Sequence, residues 1–364
     1  MGGSTFVSPL SQRVYYPSSG QADLCFSMTN FTIPTKETSY VCRAFAFPPQ
    51  VALHATDFLP LIDRSDVVHH MILYSVDRDY STRGNFDCSS MPEGTLGPVY
   101  VWAVGAVQFS LPSIVGLPVA SNIGNTKGVA YGVLQVHYSN TAKLNNIKDS
   151  SGIMIKTTSD LRPVSGGLIM LGANVGSIKI PANRLAFGLS GTCSSSTTKG
   201  LPSAKSINPL TNDYVVLASA IHAHTLGRRI WTEQWRGSSR VLSSDGNGND
   251  PLGNQPFYSF SNQQFVNLPV DSRLKPGDEL ITRCVYENTI TAGKKDGNSV
   301  AASGKTVNGC ESTNCEMCLN FLFIYPMIPA NGCVSNANPF CEDIGTDGSI
   351  VGSNTQLPSC RLFK

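Results

Sequence analysis

Short runs of apolar and β-branched residues, cut at brief intervals by proline and glycine, extend along almost the whole of this chain. With 33 glycines and 22 prolines in 364 residues, the pattern favours strands joined by turns. Long amphipathic helical periodicity is missing, so an all-β fold is expected. The strand-like segments are Leu24–Phe31, Tyr40–Phe47, Val51–Leu59, Val67–Val76, Val99–Val107, Val129–Tyr138 and Gly152–Thr157. A Pro- and Gly-bearing break follows at Thr158–Gly167. A second series then runs through Leu168–Leu171, Arg184–Gly191, Tyr214–Thr225, Arg229–Trp235, Phe257–Phe265, Glu279–Tyr286 and Met317–Tyr325. The length allows two domains with a sizeable core. The organisation predicted is a flexible arm over 1–20, domains over 21–160 and 161–335, and a tail over 336–364. Ser243–Asn254 reads as a mobile surface loop. Its Asp/Asn/Gly alternation lacks the closing Glu of a calcium loop.

Lys+Arg 27 against Asp+Glu 25 leaves a net charge of +2, which implies no nucleic-acid or anionic-membrane partner. Eleven cysteines point to disulfides and an oxidising compartment. The sequon Asn30-Phe31-Thr32 agrees with a secreted or secretory-lumen glycoprotein. An odd count leaves one thiol free or paired with another chain. No apolar run approaches the ~18 residues of a spanning helix, and no signal-peptide pattern follows Met1.

Five of the six histidines fall in three strand-like patterns: His69 and His70 in Val-Val-His-His-Met-Ile, His137 in Leu-Gln-Val-His-Tyr, and His222 and His224 in Ile-His-Ala-His-Thr. Alternate strand residues share a face, so His222 and His224 form a two-nitrogen site. His69 and His70 are adjacent and need a bulge or strand end to converge; alternatively one ligates and the other packs. A neighbouring strand would bring His137 to the same rim. Imidazoles without a carboxylate suit copper or zinc. Met317, in Cys-Glu-Met-Cys, is the candidate third ligand of the second pair, and its soft thioether favours Cu(I). A lone histidine or methionine more often packs than ligates; it is the concentration that argues for metal. His54 reads as structural or surface, Trp231 and Trp235 as packing, Arg228-Arg229 as a solvated turn, and Asp63, Asp66, Asp77 and Asp79 as surface. No nucleophile elbow, P-loop or dinucleotide fingerprint occurs.

The patterns Val-His-His-Met, Leu-Gln-Val-His-Tyr, His-X-His-Thr and Glu-Met-Cys, in this order, resemble those of the copper type II, ascorbate-dependent monooxygenases. The resemblance runs from about Asp23 to Cys333. It implies two β-sandwich domains across a solvent cleft, each with one copper. His69, His70 and His137 would hold an electron-storing copper fed by ascorbate. His222, His224 and Met317 would hold the copper that activates dioxygen and hydroxylates a substrate C–H. Tyr40 would stand beside the first copper, and Gln135 would line the path between the two. By position the resemblance also implies Cys42–Cys88, Cys193–Cys333 and Cys284–Cys318. Cys310–Cys315 and Cys341–Cys360 are expected to take up the remainder, leaving Cys25 as a possible link to an extracellular partner.

The chain departs from the family at substrate-clamping positions. Ala220 stands where peptide-hydroxylating members carry an Arg, and Leu319 and Phe321 stand where they carry Asn and Tyr. Loss of those charge-assisted contacts argues against a peptidyl-glycine and for an apolar or aromatic substrate, either a small molecule or borne on an exposed polymer. Thr225 replaces a further, non-ligating histidine of some members. The competing expectation is a structural or adhesive extracellular module on the same scaffold. A zinc hydrolase is weaker, for want of a general base in a His-Glu-X-X-His pattern.

Overall fold

The computed structural model describes residues 6–7, 13–15, 21–47, 52–88, 92–120, 128–244, 250–260, 263–290, 304–310, 315–328 and 332–345. The fold is all-β, in layers of mostly antiparallel sheet. Residues up to Ser165 build an eight-stranded sheet and a facing five-stranded sheet, ordered Asn85–Asp87, Thr38–Ala46, Tyr131–Ser139, Val68–Val76, Thr95–Ala103. Residues from Gly167 onward build two six-stranded sheets. One contains Tyr214–His222, Leu319–Tyr325 and Gly167–Ala173 side by side; the other contains Gly227–Arg236, Asp278–Asn288 and Arg184–Cys193. Sheet membership changes hands at Gly166, because Val164–Ser165 still pairs with Val115–Gly116.

Burial explains the sequence pattern. Tyr131–Ser139 is central in its sheet and buried at every position except its two ends, because one face meets the sandwich core and the other the second half of the molecule. That core includes Phe26, Phe58, Tyr100 and Leu134, and it reaches across to Ala218 and Phe323. Phe109 joins the halves directly, with its ring 5.0 Å from Phe265 and 5.7 Å from Phe323.

Several expectations are adjusted. Among its described residues Phe257–Phe265 forms no strand; Asn254–Gln255 and Val266–Asn267 on either side of it are paired. Its alternation of aromatic and polar residues mimics a strand, but Tyr258, Phe260 and Gln263 are spent on the site described below. Two short helices, Ser195–Lys199 and Ala204–Ile207, are capped by the hydroxyls of Ser194 and Ser203. The Ser243–Asn254 stretch is anchored at its end, where Leu252 is wholly buried and Asp250 accepts a forked pair of bonds from Arg240. Within the N-terminal arm, Phe6–Val7 and Arg13–Tyr15 pair as strands at the sheet edge. Within the tail, Asn338–Gly345 adds to Arg184–Cys193. Disulfides join Cys42–Cys88, Cys193–Cys333, Cys284–Cys318 and Cys310–Cys315. Cys360, the expected partner of Cys341, lies outside the described residues. Cys25 is half-buried opposite Met154, and Asn30 is exposed in a turn at φ 53°.

His54 is structural, and its place says why. It is buried against Gly116, where a Cβ would collide with the ring. Its Nδ1 accepts the Arg162 backbone N–H at 2.9 Å, and Nε2 lies 3.4 Å from the Ser165 hydroxyl. It therefore fastens the connection between the two halves. Burial, helped by the Arg162 charge, pushes its pKa down to about 4. The unfolded chain takes up a proton at an ordinary histidine pKa while the folded chain resists, so stability falls as pH drops from about 6.5 toward 4, by up to ~3 kcal/mol. His54→Gln is expected to narrow its stability gap to wild type between pH 7 and pH 4.5 in thermal melts. Parallel pH profiles for the two proteins would contradict this.

Candidate metal centres facing one cavity

The first histidine cluster is made by a bulge. His70 stands opposite His137 in register, but the next pair is Val68 with Tyr138, so His69 is an extra residue with no counterpart. A regular strand would point His69 and His70 to opposite faces; the bulge turns both to one side. One ligand nitrogen from each of His69, His70 and His137 falls within 4.8 Å of the others. The Nδ1 atoms of His70 and His137 are 3.2 Å apart. The buried His69 Nδ1 and His137 Nε2 have no hydrogen-bond partner among the described residues.

Burial sets the charge state of this cluster. It pushes His69 down to about 4. It drives His70 and His137 well below the ordinary histidine range, and neighbouring imidazoles add to the effect. Neutral, converging imidazoles with orphaned nitrogens are what a metal ion requires, and the absence of a carboxylate from the cluster suits copper or zinc.

Two expected accessories stand beside this cluster. Tyr40 faces His137 on the next strand, its ring stacked 4.5 Å away at 7°. Gln135, two residues before His137 and on the same face, donates to the Cys88 carbonyl at 2.8 Å and accepts from the Tyr74 hydroxyl at 3.4 Å. Its register partner is Cys42, so the Cys42–Cys88 disulfide braces it from both sides.

The second cluster sits at a strand end. Tyr214–His222 stops at His222, short of the expected Thr225, and His224 lies in the turn beyond. There the His224 N–H donates to Glu316 at 2.8 Å, and its Nδ1 bonds the Cys315 carbonyl at 2.7 Å. The strand gives way because that backbone N–H is taken by a carboxylate rather than by a ladder. The rings of His222 and His224 are 5.2 Å apart at 84°. His222 Nδ1 is held by the Gln263 side-chain oxygen. With both Nδ1 atoms engaged, each ring keeps Nε2 for a ligand. Burial pushes His222 to about 4 and His224 to about 3.

Met317 lines the same cavity as His70, His222 and His224. Its carbonyl accepts from the Tyr286 hydroxyl at 2.6 Å, and the Cys284–Cys318 bridge fixes the adjacent residue. Ala220 packs with Met317, Leu319 and Phe321 in one apolar cluster.

Four supporting residues escaped the sequence reading. Glu316 is wholly buried and accepts backbone N–H groups from Leu226 at 2.7 Å, His224 at 2.8 Å and Met317 at 3.3 Å. Burial pushes it up to about 8 against the pull of those three donors. Tyr258 bonds both the N–H and the carbonyl of Ala223, the residue between the two histidines. Phe260 places its ring between the clusters, 4.7 Å from His69 and 5.8 Å from His224. Gln263 donates to the Phe260 carbonyl at 2.6 Å while it holds His222. The signal for Glu316 was present in Cys-Glu-Met-Cys; the other three lay in the segment read as a strand. Trp231 and Trp235 lie away from the cavity, both donating to Glu233. Asp66 and Asp77 pair with Arg64 and Arg78.

The cavity encloses about 490 Å³ and is bounded by both halves of the molecule. Residues 24–145 match the N-terminal domain, and residues 164–342 the C-terminal domain, of copper type II ascorbate-dependent monooxygenase. The chain is similar to DBH-like monooxygenase protein 2 of Mus musculus, at 30% identity over 84% of this chain and 46% of that protein. DBH-like monooxygenase protein 1 of Homo sapiens is 30% identical over 83% of this chain and 47% of its own length. Dopamine beta-hydroxylase of Bos taurus is 28% identical, over 84% and 47%. The chain thus spans about half the length of the curated relatives it matches.

Proposed function

Because this chain belongs to the copper type II ascorbate-dependent monooxygenase family, we propose that it hydroxylates a substrate C–H bond with dioxygen and two electrons from ascorbate. The overall change is R–H + O2 + 2 electrons + 2 protons giving R–OH + H2O, with ascorbate oxidised to dehydroascorbate. His69, His70 and His137 hold one copper, and His222, His224 and Met317 hold the other. Bound copper supplies one-electron transfer at the first site and dioxygen activation at the second. The observation that carries this reading is that His70, His222, His224 and Met317 line one cavity while His69 and His137 converge on His70 beside it, with every imidazole held neutral by burial.

The chain's own groups do the positioning. Gln263 and the Cys315 carbonyl fix the tautomers of His222 and His224, leaving Nε2 as the ligand atom of each. Met317 adds a soft ligand that favours the cuprous state. Tyr40 stacks on His137 and Gln135 lines the cavity between the two sites. The Phe260 ring stands between the clusters, in contact with a histidine of each. The four disulfides fit a secreted or lumenal protein, and among the described residues no helix is long and apolar enough to cross a membrane.

Elemental analysis after reconstitution with Cu(II) and dialysis is expected to give two coppers per chain, with ascorbate-dependent oxygen uptake. A chain that retains no copper would be a structural module on this scaffold instead.

A further inference from the structure

The walls of the cavity carry no full charge. Among the described residues that line it there is no Asp, Glu, Lys or Arg. His70, His222 and His224 line it as the proposed metal ligands. Glu316, the nearest buried carboxylate to the second cluster, is turned into three backbone N–H groups behind it. The polar groups that do line the cavity are largely committed. Gln135 is tied to the Cys88 carbonyl, Gln263 to His222 and the Phe260 carbonyl, and the Asn174 side-chain oxygen to the Gly176 N–H. Tyr74 is tied to Gln135, Thr95 to the Pro92 carbonyl, and the Tyr40 ring stacks on His137; apolar side chains supply much of the remainder, Met170, Val175, Leu319 and Phe321 on one side, Ile72 and Val101 on the other.

From this we infer that the cavity takes an uncharged, largely apolar substrate. The inference rests on the copper monooxygenase reading for the word substrate, but the selectivity follows from the walls alone. In the metal-free chain an ammonium or carboxylate entering here would lose its hydration with no counter-ion and few open hydrogen-bond partners to replace it, which strongly disfavours it; bound copper would add positive charge of its own, so the selectivity of the walls is read without metal. The register makes the loss specific. Ala220 stands opposite Phe321, and His222 opposite Leu319. The positions that flank the second cluster are therefore filled by methyl, isobutyl and phenyl groups that cannot pair with an ion. The volume, about 490 Å³, falls within the ~300–1,000 Å³ of pockets that enclose drug-sized molecules.

Three probes of one skeleton and three charges test this: 3-phenylpropanol, 3-phenylpropylamine and 3-phenylpropanoate. Each is titrated calorimetrically into the full copper-loaded chain, reduced and held under nitrogen so that no turnover occurs, and into the metal-free chain. In the metal-free chain the alcohol is expected to bind at least ~10-fold more tightly than either ion; in the copper-loaded chain, where the metal adds positive charge, it is expected to keep that margin over the amine. Val334→Glu sets a carboxylate on the cavity at a position already 41% exposed, where folding tolerates it; it is expected to raise the affinity of the amine and lower that of the propanoate. Equal or tighter binding of an ion by the unaltered metal-free chain, no binding of any probe, or unchanged selectivity in metal-free Val334→Glu would each overturn the inference. The copper content of the same samples reports separately on the monooxygenase assignment, so failure of one does not imply failure of the other.

Discussion

Met317→Ala and His224→Ala are each expected to lower turnover by more than the ~10–100-fold that follows loss of a hydrogen-bonding partner behind a metal ligand, with the fold retained. The argument for retention is local. Met317 faces the cavity, so its removal enlarges a space that already exists instead of opening a new void in packed core, and the cost should lie at or below the ~2–5 kcal/mol range of Met→Ala in a tight interior. The Cys284–Cys318 bridge and the Tyr286 bond to the Met317 carbonyl hold the backbone and do not depend on the thioether. His224 likewise keeps its backbone bond to Glu316 when the ring is lost. Steady-state oxygen uptake with ascorbate reads the turnover, and thermal melting reads the fold. Full activity in either variant would sink the assignment of the second cluster, and a collapsed melting transition would instead assign these side chains to folding.

What sequence disclosed here depends on whether the signal was local. The period of two in strands paired His222 with His224, whereas the family resemblance, not spacing, singled out Tyr40 and Gln135, which the register sets beside His137. Spacing alone left His69 and His70 undecided, because a bulge is a property of two strands and their relative register, and only the missing partner of His69 settles it. The segment from Phe257 to Phe265 shows the converse failure. Its alternating aromatic and polar residues match a strand template, yet Tyr258, Phe260 and Gln263 each serve residues distant in sequence: Ala223, His69 and His222. No one-dimensional pattern carries such pairings. The strand Tyr214–His222 was overextended for a related reason. Apolar, β-branched neighbours continue the pattern, but a buried carboxylate contributed from Glu316 competes for the backbone.

That carboxylate leads to the second large effect expected. Glu316 joins two pieces of the second site: the turn after His222, through the His224 and Leu226 N–H groups, and the Met317 ligand itself. Glu316→Ala leaves those buried donors without an acceptor, at ~1–3 kcal/mol for each donor stranded; because they share one acceptor the losses do not add fully, and a total on the order of 4 kcal/mol is expected. Glu316→Gln separates packing from hydrogen bonding. It keeps the volume, but its amide nitrogen has no lone pair to accept an N–H, whereas both carboxyl oxygens accept in either protonation state. It should therefore lose about half as much, roughly 2 kcal/mol, although its shape is preserved. Both variants should also weaken copper at the second site by ~10–100-fold, the range seen when a group orienting a ligand is removed, while the His69, His70 and His137 site, built on a different sheet, keeps its affinity. Urea unfolding of the metal-free chain gives the first quantity, and competition with a cuprous chelator, resolved into two sites, gives the second. Wild-type stability in Glu316→Gln would mean that the three N–H groups find other acceptors. Equal weakening of both copper sites would mean that Glu316 supports the whole cleft and not the turn that presents His224.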